Sequence, residues 1–161
     1  MPGLVLAALD PGRPVTLVEA TGRKAAFLTE AAAALGLGRV TVRNARAEAL
    51  GREPGLRGAF ACATSRALGP VGTCLELSLP LVRPGGRAVL FRGPAQEEAE
   101  LAAARAVAPL LGGALPEVVR YALPGGAGRR LFVVEKADVT PEQYPRRDGV
   151  PAKRPLGPKS P

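Results

Sequence analysis

Residues 117–136 read EVVRYALPGGAGRRLFVVEK, and this stretch decides which kind of sheet the chain builds. Glu117 to Leu123 and Arg129 to Lys136 are rich in the branched and aromatic residues typical of strands. Only the five residues PGGAG at 124–128 join them. A link this short permits antiparallel pairing but not the crossover that a parallel pair needs. The sequence therefore predicts an antiparallel hairpin at this point.

Upstream of the hairpin, predicted strands alternate with predicted helices. The predicted strands are residues 15–19, 39–44, 60–64 and 87–91, and the predicted helices are residues 23–35, 71–79 and about 95–111. Alternation of this kind is typical of a parallel α/β sheet. A dinucleotide-binding Rossmann domain normally stays parallel throughout. A parallel sheet that finishes in an antiparallel hairpin therefore argues against a dinucleotide-binding Rossmann domain.

Composition predicts one domain without a membrane span. The chain has 161 residues, 47% of them apolar, and charged residues, Pro or Gly interrupt every apolar run well short of a bilayer span. No basic segment followed by an apolar stretch opens the chain, so we expect a cytoplasmic protein. Cys62 and Cys74 lack ligand spacing, and we expect two buried thiols without a disulfide or a metal.

The chain carries a net charge of +8, from 22 basic and 14 acidic residues. Such a balance suits a phosphate-rich partner, because each neutralised phosphate releases condensed counterions. A sequence rich in Ala, Gly, Pro and Arg is also typical of a G+C-rich genome. Charge alone leaves these two explanations open.

Glu19 directly follows the predicted strand Val15 to Val18. In Rossmann-like units a carboxylate at this position accepts hydrogen bonds from ribose hydroxyls. The Gly-rich phosphate loop of such a unit lies about 20 residues upstream of the acid. Counting back from Glu19 reaches Met1, so we expect this chain to begin where the loop ends, without the strand that precedes the loop.

Six short strings carry a resemblance to a known family. They are PGLVLA (2–7), VEATGRKAAFL (18–28), RAE (46–48), TSRA (64–67), PGG (84–86) and YPRR with GVP (144–147 and 149–151). In this order they resemble the ribosomal RNA small subunit methyltransferase G family, also called glucose-inhibited division protein B. The similarity extends from Pro2 to about Leu156.

The resemblance implies an α/β fold of the class I S-adenosylmethionine methyltransferase type. Its Rossmann-like sheet would end in the antiparallel hairpin and would lack the first central strand. We expect a methyltransferase domain over residues 1–138 and a basic, proline-rich tail over residues 139–161. Gly3 would be the last glycine of the cofactor loop.

The activity implied by the resemblance is methylation of guanine N7 in 16S ribosomal RNA, with S-adenosylmethionine as cofactor. Guanine N7 has a free lone pair, so the transfer needs in-line positioning and no general base. The absence of histidine is compatible with this reaction, and we assign no catalytic residue and no metal. The implied partner is 16S ribosomal RNA or the small-subunit particle, with no membrane, and we expect a monomer at full length.

Most of the site residues lie within the matching strings, whereas Met1 stands where the family has Phe or Leu and Arg92 stands where it often has Lys. The cofactor-binding candidates are Met1, Glu19, Ala20, Thr21, Ala47, Glu48 and Arg66, and the RNA-binding candidates are Arg92, Arg146, Arg147, Lys153 and Arg154. An alternative interpretation of Glu19 is an ordinary exposed acid after a strand. Ala47-Glu48 has an alternative as a helix start, which is compatible with cofactor contact. The tail cations, Lys159 included, have an alternative as a solvated terminus.

Two functions from different classes follow. The first is an RNA methyltransferase whose true start lies upstream of Met1. The second is a truncated or mis-started, catalytically inactive chain that only binds RNA. Without the central strand, we expect unpaired inner sheet edges and reduced stability.

Overall fold

A computed structural model describes residues 2–94 and 96–158. In this part of the chain, helices and strands alternate as far as the final hairpin. The helices are α1 (Pro2–Leu9), α2 (Gly22–Ala34), α3 (Ala47–Leu50), α4 (Val71–Ser78), α5 (Glu97–Val107) and α6 (Val150–Lys153). The strands are β1 (Val15–Glu19), β2 (Val40–Asn44), β3 (Phe60–Arg66), β4 (Val82–Arg92), β5 (Glu117–Ala122) and β6 (Gly128–Glu135).

The strands form two separate sheets. In the smaller sheet, β1 pairs in parallel with β2, from Val15 opposite Val40 to Glu19 opposite Asn44. The larger sheet has the order β3-β4-β6-β5. There β3 and β4 are parallel, whereas β6 is antiparallel to both of its neighbours. The predicted hairpin is confirmed, and within residues 2–94 and 96–158 no ladder joins β1 to β3.

The main core lies between the four-stranded sheet and the helices α4 and α5. Leu75 of α4, Leu90 of β4 and Phe132 of β6 are completely buried there. A second, smaller core forms where α1 and α2 pack beside the two-stranded sheet. Leu4, Leu17 and Leu28 in this second core retain 7–9% exposure. The two sheets thus have separate cores.

The C-terminal segment, defined as residues 139–158, packs along the domain. Arg57 donates hydrogen bonds to the carbonyl oxygens of Thr140, Pro141 and Tyr144. At α4, the Thr73 hydroxyl donates to the Pro151 carbonyl at 2.7 Å. A side chain at Gly72 would collide with the Leu156 carbonyl, so the glycine permits this close approach. The segment therefore belongs structurally to the four-stranded half.

The structure differs from the sequence prediction in several element bounds. Residues 2–9 form a helix, and Gly3 lies inside it against Leu17. Strand β4 runs through the predicted turn at 84–86, because Gly85 adopts a φ of +79° while the ladder to β3 shifts register. The predicted last helix divides into α5 and a 3₁₀ turn at Pro109–Leu111, since a proline cannot donate to the helix.

Candidate functional site

The carboxyl ends of β1 and β2 build the first part of the candidate site. Glu19 and Asn44 end these two strands opposite each other. The Asn44 amide donates to the Glu19 carbonyl at 2.9 Å, and Glu19 Oε1 accepts the backbone N–H of Thr21 at 2.8 Å. Among the described residues, Glu19 Oε2 accepts no hydrogen bond and the side chain is half-exposed. One carboxylate oxygen therefore remains able to accept a hydroxyl.

The segment after β2 brings a second carboxylate to the same edge. Ala47 begins the short helix α3, and Glu48 lies in its first turn. Glu48 is 5% exposed, and its Oε1 accepts the backbone N–H of Gly149 at 2.9 Å. Beside this contact, Arg46 lies 4.0 Å from Asp148. The helix start predicted as an alternative is present, and Glu48 ties it to the C-terminal segment.

The C-terminal segment reaches from α3 to α4 through a buried ion pair. Glu76 of α4 is completely buried, and its Oε2 lies 2.6 Å from Arg146 Nη2. The backbone N–H of Arg146 also donates to Glu76 Oε1 at 2.8 Å. Because α3 follows β2 and α4 follows β3, this segment links the smaller sheet to the larger one.

Arg66 ends β3 as an exposed side chain. The next residue, Ala67, has a φ of +52°, so the chain turns sharply before α4. Arg66 makes no hydrogen bond or ion pair within the described residues. It is free to meet a ligand at the end of the strand, where open α/β sheets place their ligands.

The predicted RNA-binding cations fall into two groups. Arg146 is held by Glu76, and Arg92 donates to Glu100 Oε1 at 3.0 Å and to the Gly69 carbonyl at 2.9 Å. These two guanidinium groups have structural partners. Arg147, Lys153 and Arg154 are exposed. Met1 and Lys159 lie outside the described residues.

Several charged residues that the sequence analysis did not single out are buried. Lys136 is 1% exposed, and its Nζ donates to the carbonyls of Leu79 at 2.8 Å and Leu111 at 2.9 Å and to the Thr140 hydroxyl. Burial, with the nearby positive charge of Arg57, lowers the pKa of Lys136 to about 8. Its position two residues after Val134 on an inward-facing strand register was the signal that could have found it.

Neither thiol lies in a ligand cluster. Cys74 is buried, and burial raises the pKa of its thiol. Cys62 is exposed, and partial desolvation by its neighbours raises the pKa of its thiol. The expectation that both would be buried is therefore wrong for Cys62, because β3 forms an open sheet edge. Across residues 2–94 and 96–158, no group of three or more His, Cys, Asp or Glu side chains could hold a metal ion. No helix in that part of the chain is long and apolar enough to cross a membrane.

Comparison with known proteins supplies the family. The family model for rRNA small subunit methyltransferase G (GidB) matches residues 1–122. The chain belongs to the rRNA small subunit methyltransferase G family. A member from Carboxydothermus hydrogenoformans is 44% identical over 156 residues, which are 96% of this chain and 66% of that protein. A member from Deinococcus radiodurans is 43% identical over 96% of this chain and 61% of its own length. The chain thus spans less than two thirds of these family members.

Solved structures agree on the fold. The 16S rRNA (adenine(1408)-N(1))-methyltransferase of Catenulisporales acidiphilia, solved as a point variant, has a TM-score of 0.64 at 16% identity, covering 91% of this chain and 82% of that one. The antibiotic-resistance methyltransferase Kmr has a TM-score of 0.59 at 22% identity, covering 83% and 80%. The predicted class, a class I S-adenosylmethionine methyltransferase fold with a C-terminal antiparallel hairpin, is confirmed.

Proposed function

We propose that this chain catalyses S-adenosylmethionine-dependent methylation of guanine N7 in 16S ribosomal RNA. The observation that carries the proposal is Glu19, fixed at the end of β1 by the Thr21 amide with one carboxylate oxygen left over. Membership of the rRNA small subunit methyltransferase G family supports the reaction and the substrate. N7 is the finer part of the proposal and rests on the resemblance.

The carboxylate of Glu19 supplies the acceptor that a ribose needs. Both ribose hydroxyls can donate, and a carboxylate accepts charge-assisted hydrogen bonds that are stronger than neutral ones. In our proposal Ala20 and Thr21 line the ribose beside Glu19. Ala47 and Glu48 line the adenine side, with Glu48 held in place by the Gly149 amide. Bound S-adenosylmethionine would supply the methyl group.

The chain's own residues have a positioning role in this reaction. Guanine N7 already presents a lone pair at neutral pH, so no side chain has to remove a proton. Holding the two reactants in line is enough to supply a large part of the rate enhancement. In our proposal Arg66 lies at the edge of the pocket nearest the reacting groups. Its guanidinium orients the bound molecules there.

The RNA side of the proposal uses the exposed cations of the C-terminal segment. Arg147, Lys153 and Arg154 are exposed next to α3 and α4, and phosphates are their natural partners. Arg92 and Arg146 are paired with Glu100 and Glu76, so in our proposal they meet RNA through guanidinium N–H groups and add no net charge. We propose 16S ribosomal RNA or the small-subunit particle as the partner, in the cytoplasm, with the protein acting as a monomer.

Calorimetric titration with S-adenosylmethionine tests the cofactor site. Glu19→Ala should weaken binding by about 1.5–3 kcal/mol, the value of hydrogen bonds to a charged group. Glu30→Ala is the matched control, because Glu30 is an exposed acid in the same region, on α2. Methyl transfer from labelled cofactor to under-methylated small-subunit particles tests the reaction. Equal binding by the wild-type protein and Glu19→Ala would contradict the assigned site.

One observation favours a second candidate, RNA binding without methyl transfer. In the described residues, β1 pairs only with β2 and β3 pairs only with β4, so no ladder joins the two sheets. The ribose of the cofactor and the methyl acceptor would then lie on two sheets that no ladder joins. RNA binding together with no detectable cofactor binding would favour this second function. Tight cofactor binding would eliminate it.

A further inference from the structure

A cavity of about 350 Å³ lies beside β5, the edge strand opposite β3 in the larger sheet, and none of its lining residues belongs to the sheet of Glu19. Its lining comes from the loop after β4, the start of α5 and the hairpin strands β5 and β6. The residues that matter are Pro94, Glu97, Arg120, Tyr121, Arg129 and Arg130. Strand β4 ends at Arg92 and β6 begins at Gly128, so this cavity lies at the same end of the strands as Arg66.

The charge of this cavity is positive. Three arginines line it against one glutamate. Arg130 is 3% exposed and lies 3.2 Å from both Glu97 and Glu100, so its charge is held by α5 on the inward face of β6. Arg120 also pairs with Glu97 but remains 65% exposed. Arg129 donates at 2.8 Å to the Gly128 carbonyl and has no carboxylate partner among the described residues. Arg129 is therefore the cation available to an anionic ligand.

An aromatic ring stands beside that cation. Tyr121 and Arg129 are directly opposite each other in the β5–β6 ladder, so their side chains leave the same face about 5 Å apart. Tyr121 is 37% exposed. An exposed ring next to a guanidinium without a carboxylate partner matches one unstacked nucleotide, whose base stacks on the ring while its phosphate meets the cation.

We propose that this cavity binds one nucleotide of single-stranded RNA, with the base on Tyr121 and a phosphate on Arg129. The inference rests on the proposed function, because it assigns a second contact for the RNA substrate. Three strand spacings of about 4.8 Å separate β5 from β3, so Tyr121 lies roughly 15 Å from Arg66. The nucleotide is thus a neighbour of the target and not the target itself. An acidic peptide would pair with the arginines, but it has no base to stack on the ring of Tyr121.

The chain has only two tyrosines, Tyr121 and Tyr144, so 3-fluorotyrosine labelling gives two ¹⁹F resonances. Tyr144→Phe assigns them. Titration with an oligoadenylate of about 12 nucleotides should shift the Tyr121 resonance and leave the Tyr144 resonance in place. RNA binding without a Tyr121 shift overturns the proposal, and so does a failure to bind RNA. A Tyr121 shift with polyglutamate but not with RNA overturns it in favour of an acidic peptide.

Affinity and its salt dependence complete the test. Tyr121→Ala should weaken oligoadenylate binding about 5- to 150-fold, whereas Tyr121→Phe keeps the stacking surface and should bind as the wild type does. Arg129→Ala should reduce the salt slope by about 0.7, the share of one phosphate on a single strand. Arg83→Ala is the matched control, since Arg83 is an exposed arginine at the opposite end of β4. Equal effects of the Arg129 and Arg83 variants would contradict a specific site.

The two proposals fail separately. If Tyr121 responds to RNA and no methyl transfer occurs, the nucleotide site stands and the proposed function is wrong. If methyl transfer occurs with an unresponsive Tyr121, the proposed function stands and the nucleotide site is wrong. Calorimetry with S-adenosylmethionine should be unchanged in Arg129→Ala, because none of the residues that line the cavity belongs to the sheet of Glu19.

Discussion

The four-stranded half and the two-stranded half of this molecule are stabilised in different ways. The larger half has a core in which Leu75, Leu90 and Phe132 are completely inaccessible, and the buried Glu76–Arg146 pair fastens the C-terminal segment to it. The smaller half has a few partly protected leucines around β1 and β2. Stability should therefore be concentrated in the larger half.

The candidate cofactor residues lie mostly in the less stable half. Glu19 ends β1, whereas Arg66 belongs to the larger sheet. Regions that bind ligands are commonly drawn from the parts of a protein that open most easily. A ligand that contacts both Glu19 and Arg66 would couple the two halves, so it should stabilise the smaller half more than the larger one.

The largest predicted effect concerns the buried ion pair of the larger half. Arg146→Ala leaves the completely buried Glu76 carboxylate with only a backbone partner, and we expect a loss of about 3–5 kcal/mol in urea unfolding. Arg147→Ala removes an exposed cation at the next position and should change stability by less than about 0.5 kcal/mol. Similar losses in both variants would mean that the pair does not anchor the segment.

The second prediction compares the two cores directly. Leu90→Ala opens a cavity in a fully packed environment and should cost about 4 kcal/mol, whereas Leu17→Ala should cost about 2 kcal/mol because its 8% exposed site can collapse. Urea unfolding of both variants measures the difference. Hydrogen exchange should show faster opening of β1 and β2 than of β4 and β6. Equal costs and equal protection would contradict a division into two halves of different stability.

The sequence predicted most of the strands because their patterns are local. The link at 124–128 is too short for anything but a hairpin, and the hairpin pairs Ala122 with Gly128 as its length requires. Alternation along β6 also assigns residues to faces. Arg130, Phe132, Val134 and Lys136 follow one inward register, so the two buried charges were within reach of a pattern argument.

The parts that the sequence did not predict depend on contacts distant in the chain. Glu48 accepts its hydrogen bond from Gly149, which lies 101 positions away, and Glu76 meets Arg146 across 70 positions. No periodicity links such pairs. The sequence therefore predicted Arg146 as an RNA-binding cation, whereas the structure pairs it with a buried acid. The nucleotide cavity likewise combines a loop, a helix start and a hairpin, which no single motif contains.

The smallest predicted effect is a pH dependence that belongs to the larger half. Lys136 lies among the carbonyls of Leu79 and Leu111 and the Thr140 hydroxyl, with Arg57 and Asp138 as its charged neighbours. Burial lowers its pKa from 10.5 to about 8 in the folded chain. Between these two values the unfolded chain binds more protons, so stability should rise with pH across this window. Lowering the pH back through 8 removes that gain.

One proton limits this dependence to about 1.4 kcal/mol per pH unit. Urea unfolding of the wild type and of Lys136→Met, at pH of about 7.5 and about 9.5, isolates it, because every other titrating group is common to both chains. The wild type should gain stability relative to Lys136→Met at the higher pH. Parallel pH curves for the two chains would show that Lys136 keeps an ordinary pKa. A gain confined to β1 and β2 in hydrogen exchange would place the effect in the wrong half. Lys136 contacts the 3₁₀ turns Leu79–Leu81 and Pro109–Leu111, which follow α4 and α5, and Thr140 of the C-terminal segment.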